Sequence, residues 1–337
     1  MIQKARISLA GVAALAVLGL LGLGSSPSRA NPEIWKRSGW EQTDFSKTSI
    51  DFKEILSGGP PKDGIPSIDK PKFTTISEAK DIGPKEPVIT LNLNGQARAY
   101  PLRVLIWHEI VNDQIGDIPV TITFCPLCNA AIVFDRRVKG KVLDFGTTGL
   151  LRKSDLVMYD RQTQSWWQQF TGKAIVGAML NTRLTMIPSR IESFEKYKQR
   201  FPRGKVLVPN NVYMRNYGAN PYASYDTMPR PFLFSGDLPK DINPMARIIV
   251  FMAGGKKRAV SLKLLSERKK LKIADVTLTW SAGQNSALDT SRIARGRDVG
   301  NVVVQADTAT GPKDIVHDIT FAFVVKAFSP GVKIQQN

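Results

Sequence analysis

The sequence predicts an α+β fold in which β-structure predominates, made of two related β-rich units with a long irregular segment between them. Two observations carry that reading. From Val88 onward, short apolar and β-branched runs alternate with turn formers. The chain also matches itself. Val88–Leu105 aligns with Ile248–Leu265 at a constant spacing of 160, with Gly95/Gly255, Arg98/Arg258, Ala99/Ala259, Leu102/Leu262 and Leu105/Leu265 identical. Val120–Cys125 then meets Val276–Ser281 at a spacing of 156, and Gly140–Leu143 meets Gly300–Val303 at 160 again. Three blocks in order predict an internal duplication.

Residues 1–30 read as a signal peptide. Lys4 and Arg6 form a positive start, Ile7–Leu23 is apolar or small without a charge, and Ser28-Arg29-Ala30 supplies a small-residue cleavage site before Asn31. The expected location is periplasmic or secreted, with a retained membrane anchor as the other reading. No cysteine near the junction marks a lipoprotein. The chain carries a net charge of +18, and removal of Lys4, Arg6 and Arg29 leaves +15. That charge favours an anionic envelope surface as partner. The basic residues are scattered without interleaved aromatics, so nucleic acid is not expected.

Residues 31–85 read as an extended N-terminal arm. Gly58–Pro66 is too rich in glycine and proline for a helix or a regular strand, while Ile55, Ile65, Ile68 and Phe73 pack the arm on the body. The first β-rich unit, 86–150, holds predicted strands at Val88–Leu93, Ala97–Tyr100, Val120–Phe124, Ala131–Phe134 and Val142–Phe145. Asn94-Gly95 is a hairpin turn signal. Helical spacing of Leu102, Leu105, Ile106 and Ile110 places His108 near a helix end. The middle segment, 151–245, is dense in turn formers and aromatics, with a short helix predicted over Ile191–Gln199. The second unit, 246–337, opens on a strand at Ile248–Met252.

The chemistry concentrates in Cys125-Pro126-Leu127-Cys128, the only cysteine pair. The spacing lets both sulfurs face one point, to share a metal or to close a disulfide. A bridge over so short a loop constrains the unfolded chain little, so stapling is a weak reason for it. Three readings stay open: metal ligands, a redox pair, and an inert pair. A thioredoxin-like pair would open a helix, whereas Asn129–Phe134 reads as a strand. His108 is the candidate third metal ligand, leaving a fourth position open; Met158 would add a thioether suited to Cu(I), and zinc is the other candidate. In the second unit Ser281, Gln284 and Arg268 stand opposite Cys125, Cys128 and His108, so the chemistry belongs to the first unit.

Several stretches together resemble the domain of unknown function 3179 family: Gly59–Pro66, Trp107–Asp113, Cys125–Arg136, Phe145–Gly149, Ser154–Arg161, Ser165–Gln169 and Tyr217–Tyr222. The resemblance is strong over 55–235 and weaker beyond, and it implies a shared fold and site without naming an activity. Some members carry Cys-Pro-Leu-Thr, which would make Cys125 the essential sulfur. Phe321–Phe328 lacks the Trp and Tyr content associated with members there.

The candidate site is therefore His108, Cys125, Cys128 and Met158 for metal, with Asp155, Tyr159, Trp167 and Gln169 closing a pocket for a small molecule. Glu109, Asp113 and Asp160 recur beside these residues; Asp113 reads as a turn residue. Adjacent Trp166 and Trp167 would face opposite ways on a strand, one of them lining the pocket. The predicted function is an exported soft-metal-binding protein or metalloenzyme. The alternatives are a thiol-disulfide oxidoreductase using Cys125 and Cys128, and a non-catalytic ligand-binding module.

Overall fold

The computed structural model describes residues 31–337; the predicted signal segment lies outside the described residues. Strands take 39% and helices 16%, so the β-predominance is real, and the sheets are arranged as a five-blade propeller-like ring. The helices among the described residues are short: α1 Pro32–Lys36, α2 Leu102–His108, α3 Phe194–Arg200, α4 Leu262–Arg268 and α5 Ala322–Phe328. No helix of the described residues is long and apolar enough to cross a membrane.

Sheet I orders its strands Arg190–Ser193, Pro87–Leu93, Gln96–Pro101, Lys205–Val208 and Lys72–Thr75. Sheet II runs Met186–Ile187, Ala130–Asp135, Ile118–Cys125 and Ile110–Ile115. Sheet III runs Ile55–Ser57, Phe145–Arg152, Asp155–Asp160, Trp166–Gln168 and Lys173–Val176. Sheet IV is His317–Phe321, Arg247–Ala253, Lys256–Ser261 and Ile334–Gln335, and sheet V is Lys270–Ile273, Val276–Ser281, Asn301–Ala306 and Lys313–Asp314. In both sheets I and IV a central hairpin is flanked by an antiparallel strand on one side and a parallel strand on the other.

Local chemistry explains the elements that lead to the site. Asn94 and Gly95, at φ 51° and 78°, make a two-residue turn between paired Leu93 and Gln96, as their left-handed preference dictates. The chain leaves that hairpin into α2, which buries Leu102, Val104, Leu105 and Ile106. α2 stops at Glu109, whose φ of 57° is outside the helical region and sends the chain into Ile110–Ile115. The main core gathers sheet II with α2, Phe145, Met158 and Trp167.

The arm supplies an edge strand to sheet III and another to sheet I, and Gly58–Pro66 between them forms no regular element. Its aromatics enclose Trp166, with Trp35, Trp40 and Phe45 at ring distances of 4.9, 5.2 and 5.3 Å.

Four local expectations need correction. Val142–Phe145 is not one strand: a two-residue ladder ends at Val142, and a new strand starts at Phe145. Arg136 causes the break, its carbonyl accepting from the Leu143 amide and its guanidinium donating to the Leu143 carbonyl. Asp113 is a strand residue, buried and accepting from Arg98 and the Tyr100 hydroxyl. The helix predicted from Ile191 starts at Phe194, after the strand Arg190–Ser193, because Ser193 caps it through the Lys196 amide. Trp166 and Trp167 do face opposite ways, but both are fully buried, one in the arm cluster and one in the main core.

Replacing Trp166 with alanine removes the ring on which the arm aromatics converge. Urea unfolding is expected to show a loss of about 3–5 kcal/mol, with faster proteolysis within the arm. A loss below about 1 kcal/mol, the range of surface substitutions, with unchanged cleavage would contradict this packing.

Candidate metal centre

The cysteines sit at the end of the central hairpin of sheet II. Ile118–Cys125 ends at Cys125, a single 3₁₀ turn covers Pro126–Cys128, and Asn129 at φ 50° reverses the chain into Ala130–Asp135. Pro126 suits the first turn position because its φ is fixed there and its missing N–H has no partner to lose. Cys125 pairs with Ala130, so both sulfurs project from one hairpin end. A β-strand, Ala130–Asp135, follows the motif where a thioredoxin-like pair would start a helix. Both cysteines are buried and unbridged.

Asp155 reaches them from sheet III. Lys153 and Ser154, both at positive φ, turn the chain so that Arg152 pairs with Asp155. The Ser154 carbonyl then lies 3.5 Å from Cys128 Sγ and 3.8 Å from Cys125 Sγ and accepts from both thiols. The two sulfurs and a carboxylate oxygen of Asp155 all lie within 4.8 Å of one another. Asp155 Oδ2 accepts from Gln168 Nε2 at 2.6 Å and from the Phe170 amide at 2.9 Å. Its Oδ1 is buried and meets no N–H or O–H donor among the described residues, leaving the two thiols as its polar neighbours, a costly state for a polar atom.

Burial dominates the electrostatics. It pushes Asp155 up to about 6 and Glu109, which also faces Asp155, up to about 8. Asp318, arriving from sheet IV to accept the Ala131 amide, is pushed up to about 7 for the same reason. Both thiols are raised by burial first, Cys128 strongly: Cys125 and Asp155 push Cys128 further up, whereas at Cys125 the carboxylates Asp155 and Glu109 add to burial and the hydrogen bond with Cys128 opposes it. Near neutrality Glu109 and the two thiols therefore hold their protons, while Asp318 and Asp155 titrate at or just below it.

His108 stands apart from this group. Its Nδ1 lies 2.7 Å from the Pro66 carbonyl and its Nε2 lies 2.8 Å from the Tyr217 hydroxyl. A carbonyl only accepts, so Nδ1 carries the proton and Nε2 accepts from Tyr217. Burial lowers the imidazole pKa and keeps it neutral. With both ring nitrogens engaged elsewhere, the expected ligand role is corrected to that of a tie between arm, helix and covering segment. Met158 packs in the main core with Leu156 and Trp167. It lies three residues along the strand from Asp155, about 10 Å at strand rise and on the opposite pleat, so the two do not serve one ion.

Of the expected pocket residues, Gln169 is at the hairpin end, with Nε2 donating to Thr123 Oγ1 at 2.8 Å and Oε1 buried without a partner. Trp167 Nε1 donates instead to Asp160 at 2.8 Å, inside the core. Tyr159 donates to Asp63 on the arm side. Neither lines the cysteine site. Sequence reading missed the Ser154 carbonyl, Asp318 and the cover formed by Tyr222 and Tyr225. Tyr225 donates to the Leu127 carbonyl at 3.0 Å, and burial with Glu109 and Cys125 nearby raises the pKa of Tyr222. Glu109 was visible as the neighbour of His108; nothing local announces Asp318.

The raised pKa of Glu109 has a sign that can be tested on metal-free protein. Between its ordinary value of 4.5 and about 8, the folded state keeps a proton that the unfolded chain releases. Stability contributed by that proton is full below 4.5 and disappears as pH rises toward 8. Glu109→Gln is expected to flatten the decline between pH 5 and 8 by about 1.4 kcal/mol per pH unit at most. Parallel urea titrations of both proteins check it, and an identical pH slope would contradict a protonated Glu109.

No curated protein and no solved structure matches this chain. The family described as "Protein of unknown function (DUF3179)" matches residues 62–332. That span holds the cysteine turn, Asp155, Asp318 and the covering tyrosines, and takes in most of the chain: the protein belongs to the DUF3179 family.

Proposed function

We propose that this protein is exported and binds one soft or borderline metal ion through Cys125, Cys128 and Asp155. The observation that carries the reading is the convergence of two sulfurs and one carboxylate oxygen within 4.8 Å, with Asp155 Oδ1 buried and without an N–H or O–H donor among the described residues. Two thiolates and a carboxylate suit Zn²⁺, since the oxygen is a harder ligand than Cu(I) prefers; Cu(I) is the second choice. A cation would displace the thiol protons and turn the burial that now favours neutral groups into a strong field for charge pairing. The fourth position stays open for the Ser154 carbonyl, Glu109 or a small ligand. The redox reading is weaker, because reactive thiols need a lowered pKa and partial exposure, whereas these are raised and buried. Export rests on residues 1–30, and contact with an anionic envelope surface rests on the charge of +15 expected after cleavage.

We also infer that sheets I and II with α2 and α3, and sheets IV and V with α4 and α5, are copies of one unit. Supporting this, Val88↔Pro101 and Ile248↔Ser261 are equivalent pairs 160 residues apart. The α3 and α5 helices, and the parallel pairs Val206↔Ala99 and Ile334↔Ala259, keep a spacing of 128 on their later members. On this reading the copies are 87–208 and 247–335, with sheet III inserted in the first.

Elemental analysis of protein from the exported fraction, paired with a thiol count, tests the metal. About one zinc or copper per chain is expected, lost on Cys125→Ser. Asp155→Asn is expected to weaken binding at least tenfold, and His108→Ala to retain the ion. Metal-free protein with Cys125 and Cys128 oxidised to a disulfide would overturn the assignment in favour of the redox pair.

A further inference from the structure

We propose that a cleft beside α4 binds a small organic anion, a carboxylate or phosphate ester carrying an apolar body. The cleft does not depend on the metal reading. It has a volume of about 730 Å³, within the range of small-molecule sites. Lys263, Ser266 and Arg297 supply its polar wall, and Leu262, Met245 and Val299 its apolar one.

The sign of the ligand follows from which polar groups are spent. Two carboxylates line the cleft, and the protein consumes both. Asp226 accepts from Arg247, Arg297 and Ser286. Asp298 accepts the amides of Gly283, Gln284 and Gly300. The donors are not spent in the same way. Among the described residues Lys263 pairs only with Glu267, one turn along its own helix, and its side chain is 81% exposed. Arg297 turns both terminal nitrogens to Asp226 and Asp289, and among the described residues its Nε makes no hydrogen bond. Both carboxylates of the cleft are spent on the protein's own donors, while the Lys263 ammonium and the Arg297 Nε line it with donor capacity left, so its charge favours an acceptor-rich, negatively charged group.

Its openness also has a structural cause. Beside α2, Arg103 stands where Lys263 stands on α4, yet only 13% of its side chain is exposed. Gly218 packs against its guanidinium, and the Ile293 amide donates to the Gly218 carbonyl at 3.1 Å. The long connection between Val276–Ser281 and Asn301–Ala306 fills the space there. The matching connection in sheet II is the four-residue turn Pro126–Asn129, too short to reach α4. One cleft is thus filled by the chain and the other is left for a ligand.

Isothermal titration of the full chain with inorganic phosphate, phenyl phosphate, benzoate and benzyl alcohol tests the assignment. Phenyl phosphate or benzoate is expected to bind at least tenfold tighter than inorganic phosphate, with benzyl alcohol not binding; which of the first two is tighter identifies phosphate ester or carboxylate. Lys263→Gln, at an exposed position, is expected to weaken binding about tenfold. Ser266→Phe fills the cleft without touching a charge and is expected to abolish it. Arg297→Gln is secondary, since Arg297 also braces Asp226. Equal binding to wild type and Ser266→Phe, equal binding of benzyl alcohol, or no binding of either aromatic anion at millimolar concentration would overturn the proposal.

Discussion

The Cys125–Asn129 turn has to reverse inside the molecule, and much of the architecture follows from that. Hairpin ends normally lie in solvent, where water satisfies their backbone. Here the partners come from elsewhere in the chain. Tyr225 donates to the Leu127 carbonyl, Thr320 Oγ1 donates to the Cys128 carbonyl at 2.8 Å, and Asp318 accepts the Ala131 amide. Asn129 Nδ2 donates to the Ile319 carbonyl at 2.6 Å, and Arg247 donates to the Asn129 side chain. The second half of the chain is therefore not idle scaffold. It supplies the hydrogen bonds that allow a cysteine turn to be buried at all.

Burial then sets the chemistry. Glu109, which would be anionic in water, is held protonated near the sulfurs, and a buried Asp155 oxygen with no N–H or O–H donor lies beside them. A polar cluster of this kind is stable as a neutral network or as the cage of a cation. It is poorly suited to a nucleophilic thiolate. His108, which the sequence singled out by rarity and proximity, instead couples Pro66 in the arm to Tyr217 in the covering segment, so its contribution is to hold the site closed.

The sequence disclosed what depends on local pattern. Asn94-Gly95, the helix that ends beside His108, and the strand–turn–strand around the cysteines follow from residue type and period, and the structure has them. What stayed hidden depends on long-range placement. Asp155 was recognised as a candidate, but its approach through the Lys153-Ser154 turn was not legible. Asp318, which crosses from sheet IV, was not singled out at all. Met158 and Trp167 failed as pocket residues because alternation assigns a strand residue to one of two faces without saying which face holds the site. Trp166 and Trp167 show this directly: their opposite orientation was legible, and the arm that buries the outer one was not.

X-ray absorption spectroscopy of the zinc-loaded protein addresses the central claim most directly, since it reports the donor atoms themselves. The account predicts about two sulfur scatterers near 2.3 Å and oxygen scatterers near 2.0 Å, without the outer-shell pattern of an imidazole ring. A histidine signature, or a shell without sulfur, would contradict a centre built from Cys125, Cys128 and Asp155.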